Sequence, residues 1–220
     1  MISIKHTRQN KSHAKIGAGQ VMKRRKIVLA SSSPRRRELL ERAGIDFVVD
    51  ASNIEEDMRP PERGGAAALV KRLALEKASH VALRHPDAIV IGADTVVNSG
   101  RNFWSKPLNA RQARFMLRTL SGKSHNIWTG FCIIDTKKGT RVLRAVKTRV
   151  TFRPLSRAVI EGYIATGEAL KGAGSYTLPY SEGKASGNLF VSDIRGDYNN
   201  IIGLPLSAVL LELKKLGVRT

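Results

Sequence analysis

Ile27-Val28-Leu29-Ala30-Ser31-Ser32-Ser33-Pro34-Arg35-Arg36-Arg37-Glu38-Leu39-Leu40 passes from an apolar run through three serines into a helical pattern opened by proline. A short apolar run bounded by turn residues reads as a buried strand, and serine before proline is a helix start. Strand, turn and helix in one stretch predict an alternating architecture, and the rest of the chain repeats the theme. Phe47-Val48-Val49 reads as a second strand, residues 65–83 as a helix, and Ala88–Val97 as the most apolar strand. Asn109 is placed to cap a helix to Leu120, and Ser156 one to Thr166 with Gly167 as its stop. Ile127–Ile134 and Arg141–Phe152 predict a hairpin about Lys137-Lys138-Gly139. Phe190–Ile194 reads as a strand and Pro205 opens a last helix to Leu216. The fold class is therefore α/β or mixed α+β.

A chain of 220 residues with 42% hydrophobic content can bury a sizeable core, and wholesale disorder is excluded. No apolar run reaches the ~20 residues of a spanning helix, so no membrane role is expected. The single cysteine, Cys132, lies in an apolar run; it reads as a buried structural thiol and fits a cytoplasmic location.

The net charge of +20 raises the question of nucleic acid. Eight of the 38 bases and none of the 18 acids fall within residues 1–26, so part of the excess is a basic tail, set at residues 1–25. Two readings of the tail stand: a segment with its own function, or a chain whose true start is Met22. Nucleic acid is not expected as a partner elsewhere, since neither an RNA-binding aromatic pattern nor a Cys/His finger is present. No Walker loop occurs, so a P-loop ATPase or kinase is not supported.

Four places set charge against packing. Arg35, Arg36 and Arg37 occupy a helix N-terminus, where cations are disfavoured. Either they are solvated, or a phosphate sits at the helix mouth with the Ser31 and Ser33 hydroxyls. Lys77 falls inside the stripe Leu69, Val70, Leu73, Ala74, Ala78 and Val81, so it needs an anionic partner unless its head snorkels to water. Asp94 interrupts an apolar strand, as a metal ligand or water-steering carboxylate, or as an acid satisfied by backbone amides. Glu55-Glu56-Asp57 is a solvated loop or the second half of an oxygen-rich Mg²⁺ or Mn²⁺ site. His125 reads as a packing or capping residue.

The ordered blocks Ser31-Ser32-Ser33-Pro34-Arg35-Arg36, Ile54-Glu55-Glu56, Leu75-Glu76-Lys77-Ala78, Gly92-Ala93-Asp94-Thr95, Lys106-Pro107 and Gly172-Ala173-Gly174-Ser175-Tyr176 resemble the Maf family of nucleotide pyrophosphatases. Gly196-Asp197-Tyr198 and Gly203-Leu204-Pro205-Leu206 complete the set over residues 26–216. The resemblance implies a bilobed Maf/ITPase-like fold over residues 26–220, with a long cleft between the lobes. It implies metal-dependent hydrolysis of a nucleoside triphosphate to monophosphate and pyrophosphate, by a homodimer. It assigns Asp94 as proton acceptor, Ser31, Ser33, Arg36, Glu56, Lys77 and Lys106 to phosphate and metal, and Glu56 with Asp94 to the cation. Arg35 and Thr95 agree with the subgroup acting on dTTP and UTP. Pro179 stands where that subgroup carries glutamine, which opens the alternative of a pyrophosphatase for other nucleotides such as 7-methyl-GTP or CTP; the basic charge of cleft and tail leaves a second, a non-enzymatic nucleic-acid-binding regulator of division.

Overall fold

The computed structural model describes residues 25–178 and 187–219. The tail 1–24 and Pro179 lie outside the described residues. Among those described, no helix is long and apolar enough to cross a membrane.

Among the described residues, seven strands form one mixed sheet. β1 (Lys26–Leu29) lies between β2 (Val48–Val49) and β3 (Ala88–Ser99), parallel to both. β3 continues antiparallel to β5 (Ser124–Asp135), then β6 (Thr140–Phe152) and β7 (Val191–Arg195). The β5–β6 pair is the expected hairpin, in unbroken register from Asp135↔Thr140 to Ser124↔Thr151. β4 (Asn102–Trp104), three residues and too short to show an alternation in sequence, folds back on the end of β3.

The connections alternate sides. β1 runs through α1 (Pro34–Arg42) to β2, and β2 returns through α2 (Gly65–Ala82) to β3 on the other flank of β1. Crossovers between parallel strands keep one hand, so reversing direction places the two helices on opposite faces. Leu39 and Leu40 of α1 accordingly pack with Ile27, Leu29, Ile89 and Ile91. Ala74, Ala78 and Val81 of α2 pack with Val28, Val90 and Cys132. α3 (Ala110–Leu120), α4 (Arg157–Ala165), α5 (Tyr198–Ile202) and α6 (Leu206–Lys215) join the α1 face. Asn109 and Ser156 cap α3 and α4 through their side chains, as predicted. α5 was missed. It is a single short turn capped by Asp197, too brief to show periodicity.

Two glycines set how closely α2 approaches the sheet. A Cβ on Gly92 would stand 2.5 Å from the Ala74 carbonyl oxygen, and one on Gly130 would stand 2.2 Å from that of Val70. With only hydrogen on these strands, the helix backbone rests directly on them. Lys77 is thereby carried to the level of Asp94, which shares the α2-facing side of β3 with Gly92.

Arg25 is tied to the fold by a two-pronged contact with the buried Asp135, at 2.7 Å on each oxygen. Cys132 is buried, and burial pushes its thiol up to about 11, in keeping with a structural role.

Candidate active site

β1 pairs with β3 only as far as Ile91, where Ala30 N–H still donates to the Ile91 carbonyl. β4 takes up the same edge from Val97 onward. Residues 92–96 therefore have no strand partner on that edge among the described residues, and the gap is the wall of a cleft of about 270 Å³. It lies at the carboxyl end of β1, where open α/β sheets place their ligands. Ser31, Ser33, Arg35, Arg36, Glu56, Lys77, Asp94, Thr95 and Lys106 all line it. Of the site residues expected from sequence, only Pro179 is left outside the description.

Consecutive strand residues face opposite sides. Asp94 points to α2, and Lys77 Nζ donates to its Oδ1 at 2.5 Å and lies 2.8 Å from Glu56 Oε1. Lys77 and Asp94 are 7% and 6% exposed, so the ammonium does not snorkel. Burial pushes the Asp94 carboxyl above its ordinary value, against the opposing pull of Lys77 and Arg36. Thr95 points to the other face, where its Oγ1 accepts from Arg36 at 3.2 Å.

The three arginines of the helix start do not converge on one point, because consecutive helical residues are 100° apart. Arg36 is buried and clamps three elements: Nε to the Gly203 carbonyl at 2.8 Å, one terminal nitrogen to Ser31 Oγ at 2.9 Å, the other to Thr95. A guanidinium carries five N–H bonds, so this clamp leaves donors over. Arg35 reaches the Lys171 carbonyl at 2.9 Å, while its buried Nε has no partner among the described residues. Arg37 turns outward to Glu41. Arg35 and Arg36, the two expected at the site, thus line the cleft, and Arg37 takes the solvated alternative. The Ser33 hydroxyl, although at the N-cap, makes no capping bond. Lys106 sits at the mouth, held below its ordinary value by partial burial and then by repulsion from Arg35, Arg36 and Lys77.

The other end of the cleft is apolar, and sequence reasoning missed it. Val97, Ile127, Tyr176, Leu178 and Ile202 line it. The turn 172–176 closes this wall: a Cβ on Gly174 would stand 2.7 Å from Val97, and Gly174 N–H donates to the Ser105 carbonyl beside Lys106. Tyr176 is fixed from behind by His125, whose Nε2 lies 2.8 Å from its hydroxyl. His125 is therefore packing, and burial lowers it to about 4.

No group of three or more His, Cys, Asp or Glu side chains gathers among the described residues. Magnesium is commonly held by one or two carboxylates plus substrate phosphates, however. Glu56 and Asp94, both within reach of one ammonium, fit that demand.

The family model described as Maf-like protein matches residues 26–216. The chain is 42% identical to a dTTP/UTP pyrophosphatase of Syntrophus aciditrophicus, over 89% of this chain and 92% of that protein. It is 42% identical to one of Desulforamulus reducens (88% and 98% covered) and 44% to one of Bacillus cereus (88% and 97%). A solved nucleoside-triphosphatase, dITP/XTP pyrophosphatase, of Mycobacterium abscessus aligns over 87% of this chain and 97% of that one at 15% identity. Its TM-score is 0.41, a likeness too slight to carry weight. The chain belongs to the Maf family.

Proposed function

We propose that this member of the Maf family hydrolyses dTTP and UTP to the nucleoside monophosphate and pyrophosphate. The observation that carries the reading is the buried Lys77–Asp94 pair, set in one cleft with Glu56, Arg36 and Lys106. The named activity of the relatives selects the substrates.

Attack by water on the α-phosphorus needs a proton acceptor and relief of the charge on the departing pyrophosphate. Asp94 is the acceptor: a carboxyl raised by burial is a stronger base than one in water. Lys77 orients that carboxylate, and Lys106 with the spare donors of Arg36 stabilises charge on phosphate oxygens. The apolar end takes the base. Glu56 and Asp94 would hold Mg²⁺ or Mn²⁺, which would neutralise non-bridging phosphate oxygens.

The proposal extends to a homodimer in the cytoplasm, with residues 1–25 outside the chemistry. It is tested by assaying pyrophosphate release from the canonical and methylated triphosphates with each metal. Release from dTTP and UTP above the rest is expected. Release from none, by a folded protein, overturns the proposal.

A further inference from the structure

Lys77 Nζ takes an oxygen from each of the two carboxylates that would hold a divalent cation, Asp94 Oδ1 at 2.5 Å and Glu56 Oε1 at 2.8 Å. A Cβ on Gly92 would meet the Ala74 carbonyl oxygen and the Ala78 nitrogen, at 2.5 and 2.7 Å, so the stretch of α2 that carries Lys77 rests on β3 and fixes where its stem begins. Glu56 rides on the loop between β2 and α2 with its side chain 39% exposed, and of the three groups it alone meets solvent freely.

The charges of the cleft act in the same sense. Arg35, Arg36, Lys77 and Lys106 set four cations against the two carboxylates, a net of +2. Lys77 and Arg36 both act on the Asp94 carboxyl, and Lys106 is repelled by Arg35, Arg36 and Lys77. A divalent ion arriving alone would meet this positive excess and compete with an ammonium already in place. A triphosphate carries about four negative charges near neutral pH, so its chelate with one divalent ion carries about two and matches the cleft.

We infer that Lys77 is an internal counter-ion which keeps the Asp94–Glu56 pair from taking a divalent cation without a phosphate chain, so that metal and nucleotide bind as one chelate. The inference rests on the proposed function and deepens it. It makes Lys77, rather than either carboxylate, the group that sets when the pair is open to metal.

The probe is Mn²⁺ alone, its free concentration followed by electron paramagnetic resonance in titrations of the full chain near neutral pH. Wild type is expected to show no saturation up to about 1 mM, the weak end of carboxylate sites. Lys77→Met removes the counter-ion and should bind Mn²⁺ at least about tenfold more tightly. That gain should vanish in the double variant Lys77→Met with Asp94→Asn, which places the ion at the pair. Should methionine unfold the chain, Lys77→Gln takes its place, and recovery of the folded signal on adding Mn²⁺ reads the same gain. A folded methionine or glutamine variant that binds Mn²⁺ no better than wild type overturns the inference. So does a gain that survives Asp94→Asn, or an unfolded variant that Mn²⁺ does not restore. A calorimetric titration of wild type with the Mn²⁺ chelate of the non-hydrolysable α,β-imido analogue of UTP separates the two readings, and binding is expected. Wild type that saturates with free Mn²⁺ as readily as with the chelate overturns the inference alone. Wild type that binds neither overturns the proposed function and the inference with it.

Discussion

Lys77 Nζ meets Asp94 Oδ1 at 2.5 Å, with both side chains more than nine-tenths buried and Glu56 closing the ammonium from the solvent side. A lone charge at that depth is costly, so each residue of the pair conditions the other. Asp94→Asn keeps the shape and removes the base. Pyrophosphate release should fall by a factor of about 100 or more, the usual share of a general base. Lys77 keeps Glu56 as a partner, so the thermal midpoint should fall less than in Lys77→Met, and a folded asparagine variant with full activity would remove Asp94 from catalysis.

Lys77→Met leaves the buried Asp94 carboxyl without its ion-pair partner. The loss should approach about 3–5 kcal/mol at high pH, as for other broken buried pairs. It should shrink as the pH falls. A carboxyl raised in the folded state binds its proton there before the unfolded chain does, so stability declines as pH rises through that window. Urea titrations at several pH values read the slope, and a loss independent of pH would contradict the assignment.

His125 supplies a separate pH dependence. Its folded value of about 4 lies below the ordinary 6.5, so the unfolded chain takes up a proton first as pH falls. Stability from this group is complete above 6.5 and declines down to about 4. By pH 5 the loss should be about 2 kcal/mol, at 1.36 kcal/mol per pH unit. His125→Gln should flatten the dependence between pH 7 and 5 whatever its absolute stability, and an unchanged slope would reassign it.

Gly92→Ala forces a methyl into the α2 backbone, 2.5 Å from the Ala74 carbonyl and 2.7 Å from the Ala78 nitrogen. Overpacking of this kind costs about 1–3 kcal/mol. Since the same contact sets the height of Lys77, kcat should fall in the surviving folded fraction too. Denaturant midpoints with activity per folded molecule separate the two effects.

Much of this was legible in the chain itself, for physical reasons that differ by residue. Pro34, Asn109 and Ser156 act within one turn of backbone, so the starts of α1, α3 and α4 could be read locally. Lys77 was visible as a charge in an apolar stripe. β4 and α5 were too short to show a period. The parting of Arg35, Arg36 and Arg37 depends on where Gly203, Lys171 and Glu41 arrive, and two of those lie more than 130 positions downstream. The apolar wall was hidden because Val97, Ile127 and Ile202 look like any other core residues until the sheet leaves them beside an opening.

That opening exists because the β1 and β4 pairings with β3 stop short of each other. Its width is thus a matter of chain length rather than side-chain bulk. One further residue pair at either end would narrow the mouth by about 3.3 Å, the rise of one strand residue. An engineer, or a lineage, could resize the entrance by moving those endpoints and leave the packed interior as it stands.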